Sequence, residues 1–521
     1  MKPLEGIPDD QADTLSASTA EEIQATLWKA VDKLRGSVNA AQYKEFVLGL
    51  IFLKYVTDVF DERRNELANE LAELNLSEDQ IGDVLEDRVK YTGAQVFWVP
   101  ETARWSWIVA NARNRDVGEL LDEAMDAVMR ENAALTGALP RVFNRDYVDQ
   151  SHLAELVRLI DDVRFGGSGV RPELGEVYEY FLASSARAEG KRGGEFYTPQ
   201  SVTRLIAEIL EPYEGRVYDP ACGSGGMLIQ ASNFIEAHRG RDHRADITVY
   251  GQGTNAHTWR LAKMNLAVHG VGGNLGTRWG NTFADDQHPG LKADYVMANP
   301  PFNIKTWVPD ESDTRWKFGV PPKSNANYAW LQHVVSKLGE QGVAGIILAN
   351  GSMTSQSSTE GRIRQAIVDA DLVACMVALP SQLFRSTQIP ACVWLLAEDK
   401  SAQGVKRLAD RRAQILFIYA CDMGQMVSRT ERVLTETDIA KIAGTYRAWR
   451  GMPSAQTEGL TYEDEPGFCF SAGLDTVREH RYALTPGRYV GVRAQDVHPG
   501  QENDMRDGPA TLMKDLYATF D

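Results

Sequence analysis

The sequence predicts a doubly wound α/β sheet carried behind an all-helical N-terminal domain. Three observations lead there. Residues 21–165 repeat apolar positions at helical spacing, with Gly, Pro and Asn between the segments. From residue 216 onward, short apolar, β-branched runs alternate with helical patterns, the order that builds a doubly wound sheet. A glycine-rich turn and an Asn-Pro-Pro-Phe turn each follow one of those runs directly. In open α/β sheets ligands bind at the carboxyl ends of the strands.

Taken in order, residues 1–20 lack periodicity and read as a mobile tail. EEIQATLWKAVDKLRG sets Ile23, Leu27, Val31 and Leu34 on one helical face. Segments 41–75, 79–88, 116–131 and 151–162 read similarly. The most apolar stretch, FVLGLIFLKYVTDVF over 46–60, is interrupted by Lys54, well short of the ~18 apolar residues of a membrane span; a buried helix is expected. FGGSGVRPE over 165–173 is a flexible break. The expected division is a tail at 1–20, a helical domain at 21–165, an α/β domain at 166–480 and a C-terminal segment at 481–521. Strands are expected at 216–220, 246–252, 293–299, 342–350, 372–380, 391–399 and 415–420. Helical patterns such as AHTWRLAKMNLAVHG and ANYAWLQHVVSKLG lie between them, and a final helical segment over 509–520 contains ATLMKDLYATF.

The bulk properties narrow the function. A chain of 521 residues is expected to hold two or three domains. Its net charge of −17 is a poor match to a protein that grips DNA alone, because phosphate contacts need clustered Lys and Arg. The five cysteines never form a CxxC pair, which fits reduced thiols and neither a disulfide frame nor a zinc site. Met1–Ala20 is polar and acidic with no apolar core of a signal peptide, and the expected location is the cytoplasm, with no membrane attachment. No ligand cluster for a metal is visible, and His269 and His288 read as structural or surface residues.

DPACGSGGM, residues 219–227, follows an expected strand and opens a helix. Gly223, Gly225 and Gly226 permit a tight turn and a close ligand approach. The pattern is neither the dinucleotide GxGxxG nor the phosphate loop GxxxxGK[ST]. An ordinary glycine turn is the competing reading; Asp219 at the strand tip favours a nucleoside-type cofactor. ADYVMANPPF, residues 293–302, runs apolar and then stops on Asn299-Pro300-Pro301-Phe302. Proline cannot donate to a ladder and restricts the residue before it. One Gly or Pro would end a strand; an amide, two rigid residues and an aromatic ring form a more specific edge.

DPACGSGG, NPPF 80 residues later and GEFYTP upstream together resemble the amino-methyltransferases that use S-adenosylmethionine. LWKAVDKLRG, GGEFYTP, YGQ…AKMNLAVHG, NPPFN, ANGSM, ALPSQLF…IP and YALTPGRYVG resemble, more closely, the modification (M) subunit of type I restriction–modification systems, over about residues 22–492. NPPF by chance, or a protein or RNA methyltransferase, are the competing readings. The resemblance implies a Rossmann-like methyltransferase sheet and methylation of adenine N6 in DNA. It implies that Asn299 and the Pro300 carbonyl accept from the adenine amine, that Phe302 faces the extruded base, and that Phe384 suits its other side. Phe384 as a core residue is the alternative. For S-adenosylmethionine it implies Phe196, Tyr197, Thr198, Pro199, Asp219, Gly223, Ser224, Gly225 and Gly226, with Asn281 and Thr282 toward the adenine. Thr198 and Pro199 also read as a helix entry, with Thr198 as N-cap and Pro199 at the first helical position.

Two positions depart from the family pattern. Gly253 stands where an acidic residue holds the cofactor ribose, leaving Gln252 or Thr254 to compensate, and Asn281 replaces an Asp. No target-recognition domain is evident after residue 400, so the implied partners are a specificity (S) subunit, two M to one S, a restriction (R) subunit, and double-stranded DNA. Lys191 and Arg192 in KRGG are candidate phosphate contacts, or a solvated loop. The second functional reading is a catalytically weakened scaffold of the same complex.

Overall fold

The computed structural model describes residues 40–491, apart from 73, 75, 113–115, 147, 164–177, 179–197, 241–242, 244–245, 306, 356, 385–389 and 403–407. The expected tail, the helix over 21–36, the break at 165–173 and the helix over 509–520 lie outside the described residues. So do Lys191, Arg192, Phe196 and Tyr197. The chain forms two compact units.

The first unit holds the described N-terminal residues together with Cys222–Ile229 and Gly251–Thr282. Its helices are α1 (Ala40–Ala72), α2 (Glu78–Leu85), α3 (Val89–Thr92), α4 (Trp105–Asn111), α5 (Val117–Glu131) and α6 (Gln150–Asp161). Their starts are written locally. Ser77 and Gln80 form a capping box on α2, and Asp116 and Asp149 accept first-turn amides of α5 and α6. The apolar run of α1 is buried from Phe46 to Val56, and Phe60 stacks on Tyr91 at 4.5 Å. Lys54, buried within that run, donates to both carboxylate oxygens of Asp58 one turn on. Leu261, Met264 and Val268 of α9 (Ala256–Val268) share the same core. Their periodicity alone does not say which core they enter. No helix among the described residues is long and apolar enough to cross a membrane.

The second unit is built on a mixed sheet. Its strands are β1 (Gly215–Asp219), β2 (Ile247–Gly251), β4 (Ala293–Ala298), β5 (Leu338–Ala349), β6 (Val373–Ala378), β7 (Ala391–Ala397), β8 (Gln414–Tyr419) and β11 (Cys469–Gly473), in the order β11-β8-β6-β7-β5-β4-β1-β2. The two-residue strand β3 (Gly273–Asn274) belongs to the first unit, and β9 (Gln425–Met426) with β10 (Arg432–Val433) makes a separate hairpin. β4 lies parallel to both β1 and β5, whereas β7 runs antiparallel to β5 and β6. β6 and β7 are buried at every residue, which is why they read as unbroken apolar runs. β11 is not among the expected strands, because CFSAG contains no β-branched residue; it pairs antiparallel along β8. The remaining helices are α7 (Gln200–Leu210), α8 (Gly226–Arg239), α10 (Asn327–Lys337), α11 (Ser358–Asp369), α12 (Glu436–Arg450), α13 (Pro453–Thr457) and α14 (Leu474–Glu479). Buried side chains of α10, α11 and the strands form one core from Tyr218 to Val490.

Candidate active site

β4 ends at Ala298, and Asn299 is the first residue beyond it. Its side chain is buried, and its Nδ2 donates to Thr198 Oγ1 at 2.8 Å. Its Oδ1 is buried with no hydrogen-bond partner. An orphaned buried acceptor costs about 1–3 kcal/mol, so this oxygen is poised for a donor. Two prolines stiffen the next two positions. The loop leaves through Asn303, left-handed at φ +54°, a conformation Asn tolerates better than most residues. Asn303 N–H donates to Asn327 Oδ1 at 3.0 Å, and its own Oδ1 accepts from Asn327 Nδ2 at 2.9 Å. The four-residue turn is therefore tethered at both ends. Phe302 meets the buried Phe384 edge-on, with centroids 6.0 Å apart and planes at 71°.

The structure corrects the helix entry. α7 begins at Gln200 with Pro199 at the N-cap and no side-chain cap bond. Thr198 is not the cap, because its hydroxyl serves the Asn299 amide.

Asp219 closes β1, buried, and accepts from the Ala221 N–H at 2.9 Å. Burial pushes its carboxyl up to about 7. Next to it in sequence, Tyr218 bonds His333 Nε2 at 3.1 Å, while Arg315 lies 3.0 Å from His333 Nδ1. Burial, then the Arg315 charge, lowers His333 to about 3. Arg315 can only donate, so neutral His333 accepts at Nδ1 and donates from Nε2 to the Tyr218 oxygen.

The first unit carries the glycine loop. Gly223 and Gly225 take φ +51° and +86°, which only glycine adopts readily. Cys222 N–H donates to Gln252 O at 2.9 Å, and Asn265 Nδ2 holds Ser224 O at 3.0 Å. A Cβ at Gly223, Gly226 or Gly253 would meet nothing within 4 Å, so the turn offers an open cradle. Gln252 is fully buried, with its Nε2 on Gly280 O at 3.3 Å, and Gly280 N–H donates to Gly253 O at 2.9 Å. Thr254 and Asn281 are exposed, and Thr282 is buried. No group of three His, Cys, Asp or Glu able to hold a metal occurs among the described residues, and the five cysteines are free.

Residues 170–497 match the family model described as N-6 DNA Methylase, and residues 23–163 match the HsdM N-terminal domain. The chain is 45% identical over 413 residues to the type I restriction enzyme HindI methylase subunit of Haemophilus influenzae, covering 77% of this chain and 89% of that one. The chain belongs to the type I restriction–modification methylase subunits of the N-6 DNA methylase family. It is 35% identical over 490 residues to the MjaIX methylase subunit of Methanocaldococcus jannaschii, across 91% of this chain and 85% of that one. Its fold is that of the type I methyltransferase subunit structure from Streptococcus thermophilus, at a TM-score of 0.72 and 23% identity, covering 91% of this chain and all of that one. The mixed sheet behind a helical N-terminal unit is thus the fold of the type I methyltransferase subunits, and by its family the enzyme is an adenine-specific DNA methyltransferase.

Three features of this methylase subunit escaped sequence reading. The Asn303–Asn327 clamp had one available signal, the Asn-rich SNANYAW segment that runs into the first turn of α10. Asn350, just beyond β5, carries a buried and unpartnered Oδ1, as does Asn265; ANGSM contains the residue but nothing in it marks the oxygen. The Tyr218–His333–Arg315 chain joins residues 115 and 18 positions apart and leaves no local trace.

Proposed function

We propose that this methylase subunit transfers a methyl group from S-adenosylmethionine to N6 of an adenine turned out of the duplex. The observation that carries the reading is the buried, unpartnered Oδ1 of Asn299 at the head of a stiffened turn. The adenine amine is a weak nucleophile because its lone pair is delocalised into the ring. Asn299 Oδ1 and the Pro300 carbonyl would accept its two hydrogens and favour a pyramidal nitrogen. Thr198 fixes the amide by holding Nδ2, which leaves Oδ1 as the acceptor. Such preorganised contacts cost no rearrangement at the moment of reaction. The base must leave the stack for its amine to be reached. Phe302 offers it a face; a base between Phe302 and Phe384 would require their 71° angle to close.

When bound, the cofactor supplies an electrophilic methyl on a sulfonium. The residues present fit it: an open glycine cradle at Gly223 and Gly226 and a buried carboxyl at Asp219. Thr198, Pro199, Asp219 and Gly223–Gly226 would hold its methionine end, together with Phe196 and Tyr197. Asn281 and Thr282 would take the adenine, and Gln252 and Thr254 the ribose side.

The proposed assembly is two methylase subunits with one specificity subunit, joined by a restriction subunit on DNA, with residues 481–521 docking on a partner. With net charge −17, the isolated chain is expected to bind DNA weakly and without sequence preference. Anisotropy titration at physiological salt checks this, and tight sequence-dependent binding would contradict it. Gly253 favours a second reading, a weakened scaffold. Methyl transfer to DNA by the purified complex, with N6-methyladenine read by mass spectrometry, tests the first reading; cofactor binding without product would favour the second.

A further inference from the structure

The hairpin formed by β9 and β10 has no role in the chemistry described above, yet its root reaches the segments that carry Thr198, which bonds Asn299, and Phe384, which meets Phe302. Arg432 N–H donates to Gln382 O at 2.9 Å, two residues before Phe384. Leu434 N–H lies 3.4 Å from Ser201 Oγ, three residues after Thr198. The Arg432 guanidinium ties the hairpin to its own base through Met423 O at 2.8 Å and Gly424 O at 3.3 Å. Isolated two-stranded hairpins are marginal; this one is braced. Its tip is ordered too, with Val427 N–H on Glu431 O at 2.9 Å and Thr430 N–H on Ser428 Oγ at 3.3 Å.

What the tip presents is unusual for a solvated turn. Met426 and Val427 are 39% and 56% exposed. Ser428, Arg429 and Thr430 follow them, all exposed. Arg429 has no ion-pair partner among the described residues. An apolar pair followed by a free guanidinium and two hydroxyls suits a nucleic acid. Apolar side chains occupy disrupted base steps, and Arg, Ser and Thr bind phosphate oxygens. In a chain of net charge −17, an unpaired cation anchored to the Phe384 turn is placed where phosphate contact is useful.

We propose that the 425–433 hairpin is a DNA-contacting arm, with Met426 and Val427 against the gap left by the extruded adenine and Arg429 on a neighbouring phosphate. This rests on the base-extrusion reading above.

The test uses the full chain in complex with its specificity subunit. The probe is a duplex carrying the sequence that the host genome shows methylated, with 2-aminopurine replacing the target adenine in a second version. Arg429→Ala should weaken duplex binding several-fold and lower the salt slope of binding by about 1. The double variant M426S/V427S should lose most of the 2-aminopurine emission rise while assembling and melting like the wild type. Wild-type affinity, slope and emission in both variants would overturn the arm and leave the methyltransferase reading standing. Failure of the variants to co-purify with the specificity subunit would overturn it in favour of a protein-docking hairpin. If the wild-type complex transfers no methyl group to the unmodified duplex, the underlying reading falls and the arm with it.

Discussion

The turns after β4 and after β2 sit at comparable positions, each just beyond a strand's carboxyl end, and are built in opposite ways. The β4 turn is held by Thr198 at its head and Asn327 at its tail, with two prolines between. The side-chain oxygen of Asn299 is buried there without a partner. The β2 turn carries Gly253, which has no side chain and open space around it. Its neighbour Gln252 spends its amide on the backbone of Gly280. Rigidity is concentrated where the proposed reaction needs an acceptor aimed within tenths of an ångström. Where a ligand's hydroxyls would need only a hydrogen-bond partner, position 253 supplies no side chain and leaves Gln252 and Thr254 beside it. Under the proposed function, orientation of the reacting group and affinity for the cofactor would be separable properties.

The strongest way to break that contrast is Asn299→Ala. Methyl transfer should fall by on the order of 10²–10³, with complex assembly intact. Near-normal turnover by the purified variant complex would remove Asn299 from the mechanism. Next comes Gly253→Glu, which the open space permits. A carboxylate there would accept from the ribose hydroxyls, and hydrogen bonds to a charged acceptor contribute about 1.5–3 kcal/mol. Calorimetry should show S-adenosylmethionine binding tighter by roughly tenfold or more. Equal affinities would mean that the ribose is held elsewhere.

Thr198→Val probes the brace. It keeps the shape and deletes the acceptor for Asn299 Nδ2, a bond of about 0.5–1.5 kcal/mol. At saturating cofactor the expected loss in kcat is roughly twofold to tenfold, and cofactor affinity, followed by calorimetry, should fall as well because Thr198 is placed at the methionine end. A drop as deep as that of Asn299→Ala would show Thr198 acting directly on substrate.

The smallest effect is expected at a third strand tip, Asp219. Its folded carboxyl is raised from the ordinary 3.8 to about 7 by burial. Between those values the native state holds a proton that the unfolded chain has released. Stability from this group is complete at low pH and is lost as pH rises through about 7. Asp219→Asn should flatten that decline, raising the melting temperature at pH 8 by on the order of a few degrees. Parallel pH profiles for the two proteins would remove the buried carboxyl as the cause.

The sequence by itself determined the strands that carry the candidate site and the residue types at their ends. β1 and β4 are short apolar runs cut off by residues that cannot continue a ladder, and the punctuation is local in the chain. Asp219, the glycines and Asn299-Pro300-Pro301-Phe302 were legible for that reason, and several linked motifs in order were enough to indicate the family. Strand β11 was not legible, because CFSAG takes its conformation from pairing with β8. Only the tertiary structure decided that Thr198 serves Asn299 across 101 residues instead of capping its own helix. It alone showed that α9 enters the core of the helical unit, and that one oxygen of Asn299 is left without a partner. A hydroxyl or an amide can satisfy a neighbour in sequence or one brought near by folding. Composition and spacing record which groups are present, and only packing settles which partner each of them meets.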